Sequence, residues 1–125
     1  MPLERPIVEK PEGDIPFELG TEDVVVGDGD EATSGRKVTV HYVGVAFRTG
    51  EEFDASWNRG EPFRFALGKG QVIPGWDQGV AGMRVGGRRI LTIPSALAYG
   101  ARGAGNGVIA PHEPLVFVVD LLAVD

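Results

Sequence analysis

The chain has 125 residues and no cysteine, which suits one domain with a real core and excludes disulfides, thiol nucleophiles and cysteine metal sites. Its formal net charge of −6 is unevenly placed: residues 1–31 carry ten acids and two bases, whereas residues 32–125 carry eight acids and ten bases. The body of the chain is therefore close to neutral, which argues against nucleic acid as a partner, because duplex binding depends on cationic contacts to phosphates. No apolar run approaches a membrane span. The opening stretch "MPLERPIVEKPEGDIP" sets acids and prolines where a secretory leader needs bases and then an apolar run, so a cytoplasmic location is expected.

Residues 1–16 hold Pro2, Pro6, Pro11 and Pro16 among charges and read as an extended tail or strand-edge arm with no core of its own. Residues 17–125 form the domain. In "EDVVVGDGDEATSG" a β-branched run ends in a Gly/Asp/Ser cluster, so a strand runs into a turn. The Asp28–Asp30 pair resembles the start of a calcium loop, but Thr33 stands where such a loop needs glycine. "KVTVHYVGVAF" (37–47) alternates and predicts a strand with Val38, Val40 and Tyr42 on one face. "RTGEEFDAS" turns and continues, and "PFRFAL" (62–67) places Phe63, Phe65 and Leu67 on one side.

"VIPGWDQGVAGM" (72–83) reads as a short helix. Pro74 suits its first position and Asp77 its positive end. Trp76, Val80 and Met83 share one face, and Gly75, Gly79 and Gly82 the next. Each interior glycine costs about 0.8–1 kcal/mol relative to alanine, and a helix this short does not stand alone in water. Burial must hold it, with a neighbour very close to the glycine stripe. "RRILTI" (88–93) alternates again, and "LVFVVDLLAV" (115–124) is nearly all apolar, as expected of a central strand buried on both faces. The strands lie too close together for parallel crossovers. The economical solution is an α+β fold: one curved antiparallel sheet of about five strands wrapped around one short helix.

Chemical signatures are sparse. No nucleophile elbow appears. "GEPFRFALGKG" has Gly70 where a phosphate loop needs a hydroxyl. "GARGAGNG" (100–107) has no strand-to-helix setting for a dinucleotide and reads as a loop. The carboxylates offer no clear acid/base pair. What remains is a set of aromatics, Tyr42, Phe53, Phe63, Trp76, Tyr99 and Phe117, which composition alone would assign to an ordinary core.

The ordered combination "VTVHYVGVAFRTGEEFDAS", "PFRFALGKGQVIPGWDQGVAGMRVGGRR", "IPSALAYGARG" and "LVFVVDLL" closely resembles the FKBP-type peptidyl-prolyl cis–trans isomerases over residues 17–125. The resemblance implies a half-barrel antiparallel sheet around one helix, with a pocket between them. It puts Trp76 at the pocket floor and Tyr42, Phe53, Phe63, Val72, Ile73 and Phe117 in its walls. Tyr99 becomes the loop tyrosine whose hydroxyl bonds a ligand carbonyl, Asp54 the rim aspartate, and Arg59 its neighbour. The Ile73 N–H holds the ligand, and Ala98 and Ile109 are loop contacts. Tyr42, Asp54, Trp76, Tyr99 and Phe117 are the catalytic set it implies.

Gln71 replaces an acid common in the family, at a contact made through the backbone. Ala104 and Gly105 stand where the family's loop often has a histidine. The implied activity is X-Pro isomerisation in peptides and unfolded proteins, without cofactor or metal, by a monomer that also binds macrolides such as tacrolimus and rapamycin. The alternatives are a non-catalytic proline-peptide or partner-binding module using the same pocket, and an interaction domain acting through the acidic tail.

Overall fold

The computed structural model describes residues 4–11, 13–104 and 109–125. Among these, six strands and one helix follow in order: β1 (Gly20–Val25), β2 (Lys37–Ala46), β3 (Glu52–Ala55), β4 (Phe63–Ala66), α1 (Pro74–Gly79), β5 (Arg88–Ile93) and β6 (Leu115–Val124). All pairings are antiparallel, in the order β1-β5-β6-β2-β3, with β4 also on β2. The strand beyond the expected five is β3, which shares one edge of the ten-residue β2 with β4. β4 pairs with Lys37–Val40 and β3 with Val43–Val45, and a 3-10 turn over Ser56–Arg59 follows β3.

Alternation along the strands sends Val38, Val40 and Tyr42 of β2, Leu91 and Ile93 of β5, and Leu115, Phe117, Val119 and Leu121 of β6 into one buried cluster with Trp76 and Val80. That inner face carries the helix. The outer face carries a smaller cluster of Val43, Val45, Phe47, Ala55 and Val116, joined by Val8, Trp57 and Ile90. β6 is thus covered on both sides along Leu115–Leu121, as its continuous apolar sequence implies. β1 has only one partner strand, and all six of its residues are exposed; its valines serve backbone pairing rather than the core.

The segment around residues 4–11 runs over the outer face. Val8 packs on the outer cluster, and Arg5 reaches Asn58 at 2.6 Å and also the Glu52 carboxylate. The Glu4 carbonyl accepts a hydrogen bond from Arg88. Arg88 closes two further bonds on Asp120, at 2.6 and 2.7 Å, in a pair of which Asp120 is only 3% exposed. Contact with the aspartate outweighs burial and holds the Arg88 guanidinium above its ordinary range.

The helix is shorter than the glycine stripe suggests. It ends at Gly79, and Gly82 lies beyond it at φ 91°, where a Cβ would touch nothing. Gly82 is there for its left-handed backbone. Gly75 and Gly79 do face the sheet: a Cβ would stand 2.5 Å from Ile93 Cγ2 and 2.8 Å from Leu91 Cδ2, respectively. Arg89 of β5 donates to the carbonyls of Gly79 (2.9 Å) and Ala81 (3.1 Å) at the end of the helix, where a cation suits the negative end of its dipole.

Candidate functional site

Seating α1 against β5 puts Trp76 at the bottom of a cleft on the inner face. The indole is 4% exposed and enclosed by rings from three strands. Tyr42 stands 4.9 Å away at 82°, Phe117 5.2 Å at 88°, and Phe63 6.1 Å at 74°. Such edge-to-face contacts bring the positive ring edge to the negative ring face. Phe53 extends the wall, meeting Phe117 at 5.5 Å and 86°. The Trp76 Nε1–H is buried and finds no acceptor among the described residues.

The cleft encloses about 180 Å³ and is lined by Tyr42, Phe53, Asp54, Phe63, Gln71, Val72, Ile73, Trp76, Tyr99 and Phe117. All five residues of the expected catalytic set are therefore brought together, with five of the eight expected binding residues. Arg59 lies outside the lining but bonds to it. Ala98 packs against the core cluster, and Ile109 is buried in it, paired with Ala104 by a two-way backbone bridge (3.0 Å each way). Neither lines the cleft. Gly105 of the same loop lies outside the described residues.

One polar group forms the rim. The Tyr42 hydroxyl donates to Asp54 Oδ2 at 2.5 Å, and Arg59 donates to Asp54 Oδ1 at 2.8 Å and to the Tyr42 hydroxyl at 2.9 Å. The Arg59 guanidinium also stands 5.8 Å over the Tyr42 ring. Burial, followed by the bond to Asp54, pushes the Tyr42 hydroxyl above its ordinary 10, against the opposing pull of Arg59. Its bonds to Tyr42 and then to Asp54 push Arg59 upward. Tyr99, 40% exposed, is raised by burial and then by Asp54. The carboxylate and guanidinium cancel, so the rim offers directed hydrogen bonds without net charge.

Backbone around the floor is fixed by side chains. Asp77 accepts from the N–H groups of Gly68 (2.8 Å) and Gly70 (3.1 Å), fastening the turn after β4 to the helix. The Gln71 side chain accepts from the Ala66 N–H at 2.9 Å. Ile73 precedes the helix, and its carbonyl accepts from Trp76 N–H at 2.9 Å.

Two residues that shape the site escape a sequence reading. Gly44 stands where Phe53 and Phe117 converge: a Cβ would lie 2.7 Å from Phe53 Cζ and 2.6 Å from Phe117 Cε1. Its signal is a lone glycine inside a β-branched strand, which marks close approach. Ser56, fully buried, accepts the Tyr42 backbone N–H on its hydroxyl at 2.8 Å. A single serine after a strand carries no comparable signal.

An open antiparallel sheet folded over one short helix, with a ring-walled cleft and an ion-paired rim, defines a scaffold with room for a small apolar group beside a few directed hydrogen-bonding groups. The model of the FKBP-type peptidyl-prolyl cis-trans isomerases matches residues 29–122, and the chain belongs to that family of enzymes. An FK506-binding protein of Streptomyces anulatus is 64% identical over 124 residues, covering 99% of this chain and 100% of that one. The peptidyl-prolyl cis-trans isomerase FPR2 of Saccharomyces cerevisiae is 56% identical over 94 residues, 75% of this chain and 69% of that one. Among solved structures, AtFKBP13 superposes with a TM-score of 0.79 at 43% identity, covering 86% of this chain and 94% of that one. FkpA from Escherichia coli gives 0.78 at 41% identity, covering 86% of this chain and 48% of that one.

Proposed function

We propose that the cleft above Trp76 accelerates rotation about X-Pro bonds in peptides and folding proteins by stabilising a twisted prolyl amide without covalent chemistry. We propose further that macrolides such as tacrolimus and rapamycin compete for the same cleft. The observation that carries this reading is the cleft itself: aromatic walls around a buried indole, and one internally neutralised polar rim.

The physics follows from the amide. Resonance sets a barrier of about 18–20 kcal/mol, so an X-Pro bond turns over in tens to hundreds of seconds unaided. Resonance also places negative charge on the carbonyl oxygen. Twisting the C–N bond abolishes it, so the transition state is less polar there than the planar form, and water opposes the twist. An apolar cleft removes that opposition, and walls shaped to a twisted peptide bind it better than a flat one. Millisecond turnover needs about five decades, or ~7 kcal/mol. In this reading the rings hold the pyrrolidine, and the Tyr99 hydroxyl and Ile73 N–H hold flanking carbonyls.

The test is NMR exchange spectroscopy on a peptide with one Xaa-Pro bond. Wild type is expected to speed exchange, tacrolimus to abolish the effect, and Trp76→Leu and Asp54→Val each to lower kcat/KM by about tenfold or more. No acceleration by wild type overturns the catalytic reading. Peptide binding with unchanged exchange would identify a binding module instead.

A further inference from the structure

We propose that Ser56 and His41, which stand outside the cleft, form a positioning pair for Tyr42, and that protonation of His41 loosens Tyr42 and slows catalysis. The proposal rests on the reading of Tyr42 as a site residue. Its origin is the divided edge of β2. β4 pairs with β2 as far as Val40, and β3 pairs from Val43 onward, so His41 and Tyr42 fall in the gap between two short strands. The Tyr42 N–H finds no ladder partner there; Ser56 Oγ takes it at 2.8 Å, fully buried.

A serine hydroxyl has one proton and two acceptor lone pairs. One lone pair is used by Tyr42 N–H. Two acceptors compete for the proton: His41 Nδ1 at 2.7 Å and the Tyr42 carbonyl at 3.4 Å. A neutral imidazole with its proton on Nε2 takes the shorter bond, and stacking on Trp57 at 4.2 Å and 18° holds the ring in place. An imidazolium reverses this bond. Nδ1–H then donates to Ser56, both lone pairs are filled, and the hydroxyl proton has only the distant Tyr42 carbonyl. That long bond shortens only by drawing on the Tyr42 backbone, and the Tyr42 hydroxyl carries the Asp54 and Arg59 contacts of the rim.

The charged groups facing His41 are Asp120, its register partner on β6, and Arg88 on β5, which closes two bonds on Asp120. Asp120 favours the imidazolium, but burial outweighs it and holds His41 below its ordinary 6.5. The neutral arrangement therefore prevails at neutral pH, and the reversal falls on the acid side of the ordinary imidazole value.

The experiment measures kcat/KM on an Xaa-Pro peptide from about pH 7.5 to about pH 5, alongside NMR titration of the His41 ring and the Tyr42 amide. The expected result is a fall of about threefold, the worth of one neutral hydrogen bond, with the Tyr42 amide moving at the His41 midpoint. His41→Asn, whose side-chain oxygen takes the place of Nδ1 and does not titrate, flattens the rate profile and the amide shift together. Ser56→Ala disconnects the Tyr42 amide from the His41 ring. A profile that stays flat through the measured His41 titration overturns the proposal, as does His41→Asn keeping the fall. If wild type does not catalyse at all, the functional reading fails, while the Tyr42 amide titration in wild type against that in Ser56→Ala still decides whether this pair holds Tyr42: an unchanged titration in Ser56→Ala overturns it.

Discussion

Replacing Gly75 by alanine tests how the cleft floor is built. An added methyl would stand 2.5, 2.7 and 2.9 Å from Cγ2, Cδ1 and Cγ1 of Ile93, whereas carbon atoms pack at about 3.5–4.0 Å. Ile93 is fully buried, and its strand is bonded between β1 and β6, so the side chain has nowhere to go. The helix must lift by about 1 Å instead. Overpacking of this kind costs ~1–3 kcal/mol, against a propensity gain of at most ~1 kcal/mol from losing a helix glycine. The net expectation is a destabilisation of about 1–2 kcal/mol.

At Gly79 the nearest atom is a Leu91 terminal methyl at 2.8 Å, and the same substitution should cost less. Urea unfolding at constant m reads both. Because Trp76 follows Gly75 directly, a lifted helix moves the indole, and a displacement near 1 Å should lower kcat/KM by about tenfold or more. Ile93→Ala combined with Gly75→Ala should be less harmful than the two costs added, with a coupling of about 1 kcal/mol or more. A Gly75→Ala protein as stable as wild type, or less damaged than Gly79→Ala, refutes the close-seating account.

Arg88→Met should cost about 3–5 kcal/mol in urea unfolding, because it leaves the Asp120 carboxylate buried without its cation. Combining it with Asp120→Leu should restore much of the loss. Tyr42→Phe tests the rim through alkaline stability. The folded Tyr42 value lies above 10, so the unfolded chain releases this proton first, and the contribution is whole below about pH 10 and lost as pH rises through the folded value. Unfolding measured at about pH 8 and about pH 11 should show a smaller alkaline loss in Tyr42→Phe, with the part due to Tyr99 remaining.

What was legible in the sequence is what depends on neighbours along the chain. The two-residue period of "KVTVHYVGVAF", the unbroken apolar run of "LVFVVDLLAV" and the Trp76-Val80-Met83 spacing each report a local burial pattern, and β2, β6 and the buried face after Pro74 follow from them. The ring set could be named as a site only through family resemblance, because periodicity does not distinguish a core from the wall of a cleft. The illegible features all arise from pairing across the chain. Ser56 matters because β3 and β4 divide one edge of β2, and Gly44 because Phe53 and Phe117, far apart in sequence, meet above it. Gly82 continues the spacing of Gly75 and Gly79, yet serves a turn, since helix termination depends on how the chain returns to β5. Val8 joins the outer cluster from a segment whose own composition shows no apolar period.

An apolar cleft in water should collapse, and backbone placement explains why this one can stay open. Four of the lining rings are braced by another ring at a steep angle: Phe53 on Phe117, and Phe117, Phe63 and Tyr42 on Trp76. A ring moving into the cleft would give up such a contact, worth about 0.5–1.5 kcal/mol beyond its buried area. Tyr42 is tied from two sides, by Ser56 at its backbone and by Asp54 and Arg59 at its hydroxyl. The Trp76 floor cannot sink, because Gly75 and Gly79 already bring the helix as close to β5 as Ile93 and Leu91 allow. Glycines where the helix meets β5 thus set the cleft's depth, and crossed rings set its width. On the proposed function, the cleft is shaped before a prolyl ring arrives, so binding energy need not be spent on forming it and is left for the twisted amide.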